Sequence, residues 1–285
     1  HADLSHPEQQ GFGTLANGTG IATPLALVAG ANTVTVTQAG TLIIWLPSIH
    51  TGTAASGTAT VTGSPVSLVA GNNTITIVGT GTITVTCTDQ VVDRSVNALL
   101  GTVTGTTWGS QGRAFDGDDF IKYTISSFRG SDQIGSVLFW VKTSSATAQA
   151  IFSSGDEGAA TFFSVAIRDT GEIFINTNPV FNDAVRGSTN IADNVFHSGM
   201  VQSNGSAWII YADLNLETIT VLVGGNTGVW LGDIANRDNV ALGANIGNTT
   251  SNYMTGTIGE SFYYDRVLSL SGYTQWRNAT KWRYG

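Results

Sequence analysis

Short runs in which polar and apolar residues alternate with a period of two recur along this chain. The strictest is Thr82-Ile83-Thr84-Val85-Thr86, the pattern of a strand with one wet face and one covered face. Further alternating or short apolar runs fall at 136–142 (SVLFWVK), 161–168, 172–176, 207–213, 218–223, 240–242 and 256–264. Turn signals such as DTG, SNG and GGN separate them. Strands at this spacing, with no helical period between them, predict an all-β protein built on an antiparallel sandwich or jelly roll. One helix is predicted, at 270–282, opened by Ser269 or Ser271 as its cap. Trp276 and Trp282 on that helix read as core anchors.

Ahead of these runs lies an internal repeat. Residues 23–46 align without gaps onto residues 64–87, an offset of 41, with ten of 24 positions identical, including Pro24/Pro65, Gly30/Gly71, Asn32/Asn73 and Gly40/Gly81. Each copy reads as strand, Gly-Asn turn, strand, Gly-Thr turn, strand. The copies differ at their last strand: 82–86 alternates, whereas Leu42-Ile43-Ile44-Trp45-Leu46 is apolar on both faces and needs a cover on each. Ile43 and Trp45 are therefore candidate assembly-interface residues. The expected organisation is an N-terminal arm at 1–22 without apolar periodicity, a small β domain of two repeated units at 23–90, and a larger β domain at 91–285.

Composition narrows the function classes. Charged residues make up 11% of the 285, and the net charge is −8. Lysine occurs three times and threonine 39 times. That balance excludes the basic footprint of a nucleic-acid binder. No apolar run approaches the length of a membrane-spanning helix. One cysteine, Cys87, rules out an intrachain disulfide and reads as a buried, inert thiol. The first residue, His1, reads as a processed or trimmed end rather than a metal ligand.

Four segments in the right order resemble the laminin-G-like domains of the concanavalin-A-like lectin/glucanase superfamily. They are VVDRSVNALLGTVTGTTW, GRAFDGDDFIKY, SVLFWVKTSS and MTGTIGESFYYDRVLSLSGYTQW, and together they span about residues 91 to 283. The resemblance implies a concanavalin-A-like jelly roll. It departs at Gly272, near where the family usually carries a glutamate. Asp116, Asp118 and Asp119 match a turn that recurs across the family, so their default role is structural. An oxygen-rich trio of this kind also suits a hard cation such as calcium, the one cofactor that comes into question.

Catalytic patterns are missing. The superfamily's hydrolases carry E-x-D-x-E on one strand, and the five glutamates (Glu8, Glu157, Glu172, Glu217, Glu260) show no such spacing. Asp156-Glu157 reads as a solvated loop. His197 reads as a packing or strand-edge histidine. No G-x-S-x-G occurs, and the chain is expected not to be an enzyme. Sugar recognition by loop aromatics and amides would fall to Trp230, Asn248, Asn252 and Tyr253, with Trp230 equally readable as core.

Lysine poverty, Thr/Gly/Ala richness and a repeated module ahead of a lectin-like domain favour a non-enzymatic virion structural protein, a capsid decoration, fibre or tail component of a bacteriophage or similar particle. Its partners would be copies of itself, other virion proteins and cell-surface glycans, at the virion exterior. The alternative is a secreted, extracellular carbohydrate-binding protein of cellular origin. A divergent hydrolase is a third reading.

Overall fold

The computed structural model describes residues 99–109, 111–178 and 182–284, together with strand segments between Ala2 and Val92. The chain divides into two compact units. One comprises His6–Asp93 with Ala98–Thr102. The other comprises Val103–Gly285 with two short pieces, His1–Ser5 and Arg94–Asn97.

In the smaller unit, Ala31–Gln38 pairs antiparallel with Gly71–Val78. These strands occupy matching places in the two repeats. Val34 pairs with Ile75, its own equivalent at the offset of 41, and the ladder runs symmetrically outward through Thr33↔Thr76 and Thr35↔Thr74. These two strands are thus related by a local two-fold axis through the Val34–Ile75 pair. Thr60–Val61 extends this sheet beside Gly71–Val78. A second sheet sets Gly81–Cys87 between Pro24–Leu27 and His50–Gly57. The alternating run 82–86 is therefore a central strand. Ile43 and Trp45 lie outside the described residues, as do His1 and Glu8.

The larger unit is an antiparallel β-sandwich of the jelly-roll kind, with one α-helix among its described residues. Its first sheet runs Thr107–Gly109, Gly112–Asp116, Thr255–Tyr264, Gly135–Lys142, His197–Ser203, Trp208–Ala212, Asn215–Leu216. Ala2–Asp3 adds to Thr255–Tyr264 at Glu260 and Ser261. The second sheet includes, in order, Thr220–Val223, Ala184–Asn190, Glu172–Asn178, Phe162–Ile167, Gln149–Gly155, Asn239–Leu242 and Phe120–Thr124. Val137, Phe139 and Val141 point from the first sheet into the core between the sheets. There Phe152 of the second sheet stacks on Tyr263 of the first, with 6.4 Å between ring centres.

Both outer faces are covered, and this explains why the central strands read as apolar runs rather than clean alternations. On the first sheet, Leu138, Trp140 and Met200 face outward and are buried by Tyr273, Trp276 and Tyr284. Tyr273 and Trp276 belong to the helix Leu270–Thr280, capped by Ser269, whose side chain accepts from the Gly272 N–H at 3.1 Å. On the second sheet, Ala241 lies opposite Lys122 in the ladder, on the face turned away from Ile121. The segment after it folds back over that face and packs Ala244 and Ile246 against Ala241. Gly243 makes this reversal: its φ is +87°, and a Cβ there would sit 2.2 Å from the Phe115 ring.

Candidate functional site

Three of the four glycan-binding candidates converge on one small hairpin. Asn245–Ile246 pairs with Thr250–Ser251 across a tip that carries Asn248. Asn248 is exposed, and its backbone N–H donates to the Ala159 carbonyl at 2.8 Å, tying the tip to the 156–160 loop. Asn252 sits at a left-handed φ of +51°, a conformation its short amide tolerates, and its carbonyl accepts from the Ala150 N–H at 2.8 Å. Tyr253 is half-buried and packs with Phe120 onto the Ala241–Ala244–Ile246 cluster. An amide tip beside a partly exposed phenol is a set of groups that sugar hydroxyls can use.

Trp230 is a core residue and not a surface platform. Its exposure is 0%. The indole packs edge-on to Phe163 at 4.9 Å, and its Nε1 donates to the Tyr263 hydroxyl at 3.0 Å. That hydroxyl in turn donates to Asp132 at 2.9 Å. A loop of turn-forming residues, GNTGVW, carries the ring into the space between the sheets. Residue type alone leaves platform and core equally open, and burial decides for the core.

Asp116, Asp118 and Asp119 do gather: one carboxylate oxygen of each lies within 4.8 Å of the other two. Asp119 is buried and accepts from the Asp116 N–H at 3.0 Å, the bond that shapes the turn. Asp118 is pushed above the usual carboxylate range by its hydrogen bond with Asp116 and by that neighbour's charge. Asp119 rises through burial. The trio has the oxygen chemistry of a hard-cation ligand set, and it also has a complete account as a turn.

Each described glutamate has partners of its own. Glu157, in the exposed loop, pairs with Lys122 at 3.1 Å. Glu172 binds Arg186 and Thr170. Glu217 accepts from the Ser188 and Thr189 N–H groups, both at 2.6 Å. Glu260 pairs with Arg283.

His197 opens the strand His197–Ser203 and bridges two acids: Nδ1 lies 2.6 Å from Asp213 and Nε2 lies 3.0 Å from Asp193. The hydrogen bond with Asp213 raises the imidazole's pKa, against the effect of burial, and Asp193 adds to the rise. Burial opposes ionisation of Asp213, but the bonds from His197 and the Ser198 N–H outweigh it and hold that carboxyl below its ordinary range. Arg277 of the helix joins the network, donating from Nε to the Ser198 hydroxyl at 2.9 Å. The strand-edge position matches the pattern reading, whereas the two-acid bridge is not visible in the sequence because Asp213 is sixteen residues away.

No family model matches the chain, and no curated protein matches it. Among solved structures, a carbohydrate-binding module of the Ruminococcus gnavus IT-sialidase (CBM40), bound to alpha2,3 sialyllactose, is similar at 20% identity with a TM-score of 0.45. The match covers 53% of this chain and 85% of that one. The NanB sialidase from Streptococcus pneumoniae is similar at 17% identity and a TM-score of 0.43, over 50% of this chain and 24% of that one. A heptameric SAP-like pentraxin from Limulus polyphemus is similar at 14% identity and a TM-score of 0.42, over 55% of this chain and 76% of that one. At these identities the likeness is one of fold.

Proposed function

We propose that this is a non-catalytic carbohydrate-binding surface protein that works in many copies, with the exterior of a virion as its setting. The observation that carries the non-catalytic part is that the described glutamates, Glu157, Glu172, Glu217 and Glu260, are each taken up by partners of their own. Hydrolysis needs two acids facing one glycosidic bond. The exposed hairpin carrying Asn248, Asn252 and Tyr253 supports the binding part. Low charge and abundant threonine and glycine support the virion setting, as does the two-fold repeated module, because symmetric copies turn weak single contacts into avidity. Asp116, Asp118 and Asp119 serve the turn in this reading, and calcium is not required.

A broad glycan array probed with the full chain tests the binding, and light scattering tests the assembly. Binding that weakens in Asn248→Ala and Tyr253→Ala, from a protein that scatters as a multimer, is the expected result. Silence across the array ends the carbohydrate reading, and a monodisperse monomer counts against the virion setting.

A further inference from the structure

The end of the chain builds a second surface, on the opposite side of the sandwich from the hairpin. A cleft of about 420 Å³ opens beside the helix, lined by Trp140, Phe196, Trp282 and Tyr284, with Arg277 and Lys281 on its rim. Its floor is fixed: Trp140 stacks on Tyr284 at 4.7 Å, and Phe196 tilts against Tyr284 at 5.0 Å. Tyr284 reaches this place because residue 259 is a glycine; a Cβ there would lie 2.5 Å from the ring.

Trp282 is 71% exposed, yet it is not a loose side chain. Its Nε1 donates to the Ala279 carbonyl at 3.0 Å. The Arg283 guanidinium lies over its ring at 4.9 Å, and Glu260 holds that guanidinium in turn. The indole is thus held in orientation with one face backed by a cation, while its outer surface is open to solvent. An exposed aromatic whose orientation is set by its own contacts offers stacking at a reduced entropic cost.

Charge points the same way. The molecule carries −8 overall and has three lysines. Lys122 is paired with Glu157. Lys281 lines this cleft, and Lys142 has its ammonium 5.8 Å from the ring centre of Phe196, one of the lining residues. Arg277, over Trp140 at 5.5 Å, is a third cation, shared with Asp213. A local concentration of positive charge around aromatic rings, in an acidic protein, selects an anionic ligand with a flat apolar face.

We propose that this cleft binds a carboxylate-bearing sugar, with its pyranose ring on the open surface of Trp282 and its carboxylate toward Lys281 and Arg277. The proposal rests on the carbohydrate reading above and adds a site and a ligand class to it. Sialosides and uronates share this chemistry and are separate arms of the test.

The test is calorimetric titration of the full chain with 3′-sialyllactose, an oligogalacturonate, neutral lactose and AMP. At least one acidic sugar binds, lactose binds at least tenfold more weakly, and the acidic-sugar affinity falls as salt is raised. Trp282→Ala and Lys281→Glu each lower that affinity by roughly tenfold or more, which corresponds to about 1.4 kcal/mol. Both positions are exposed, and unchanged thermal melting confirms that the variants fold. Acidic-sugar binding that is untouched by both substitutions, lactose binding as tight as the acidic sugars, or AMP binding tighter than either overturns the proposal and leaves the hairpin reading standing. Absence of binding to these sugars together with a silent glycan array overturns both.

Discussion

The two outer faces of the sandwich are covered in opposite ways. The first sheet is covered by large rings, with Leu138, Trp140 and Met200 under Tyr273, Trp276 and Tyr284. The second is covered more lightly, with Ala241 under Ala244 and Ile246 and the rings of Phe120 and Tyr253 at the side. The ring-covered face brings cations with it, because Arg277, Lys281 and Arg283 sit on or just after the helix that supplies the rings. The more lightly covered face brings amides, because a tight hairpin needs turn formers such as Asn248 and Asn252. The way each sheet is sealed thus determines the chemistry it offers at the surface: aromatic and cationic on one side, amide-rich on the other.

The two faces contribute unequally to stability. Trp140→Ala, which empties the centre of the ring-covered face and leaves the Thr280 hydroxyl without its 2.8 Å indole donor, is expected to cost about 3–5 kcal/mol in urea unfolding. A loss below about 1 kcal/mol would mean that the helix is not anchored there.

The His197 bridge lies beside the same face and gives it a pH dependence. Asp213 and Asp193 raise the histidine's pKa in the folded protein, so the folded state binds its proton more tightly than the unfolded chain does. The stabilisation is therefore complete below the unfolded value of about 6.5 and is lost as pH rises through the higher folded value. The two aspartates are shifted down, and their contribution disappears only in acid, as pH falls through their lowered values. The urea midpoint should be higher at pH 5.5 than at pH 8.5, and His197→Gln should remove most of that difference. Equal midpoints in the parent protein would refute the bridge.

Tyr253→Ala, on the more lightly covered face, is expected to cost about 1–2 kcal/mol, since its ring is only half covered. Trp282→Ala should change stability by no more than about 0.5 kcal/mol, because the ring is largely in solvent. If Trp282→Ala proved as damaging as Trp140→Ala, Trp282 would be a core anchor and not a platform.

That last contrast shows where the sequence is legible. The pattern predicts a helix at 270–282 capped by Ser269 or Ser271; the helix forms at Leu270–Thr280, Ser269 is the cap, and Trp276 is buried as expected. The helix stops two residues before Trp282, which a 3-10 turn at Lys281–Arg283 directs outward. The expectation that Trp282 is a core anchor fails on that change of helical geometry. Strands with apolar side chains, such as Gly135–Lys142 and Phe162–Ile167, stand out in the pattern. Gln149–Gly155 and His197–Ser203 do not, although nearly every residue in them is buried.

Several of their polar residues are buried with partners that no periodicity reveals. Ser153 donates to the Ala244 carbonyl and Ser154 to the Asn239 carbonyl, both at 2.7 Å, across more than eighty residues of sequence. Gly199 is hidden for a different reason: Phe139, opposite it in the ladder, fills the space where a side chain would be. Arg237 is another case. A guanidinium that donates to the Ser154 hydroxyl and to the Phe128 and Ile234 carbonyls, and whose pKa burial pulls down to about 10, reads in the sequence as an ordinary loop charge.

The central claim is that this protein holds glycans without cutting them. The most direct test is equilibrium binding of the full chain to the best ligand from a glycan array, followed by mass spectrometry of the recovered ligand after prolonged incubation. Saturable binding with the glycan recovered intact is the predicted result. Shortened or rearranged glycan, with that conversion abolished by Glu157→Gln, would contradict the account and place chemistry in the exposed 156–160 loop.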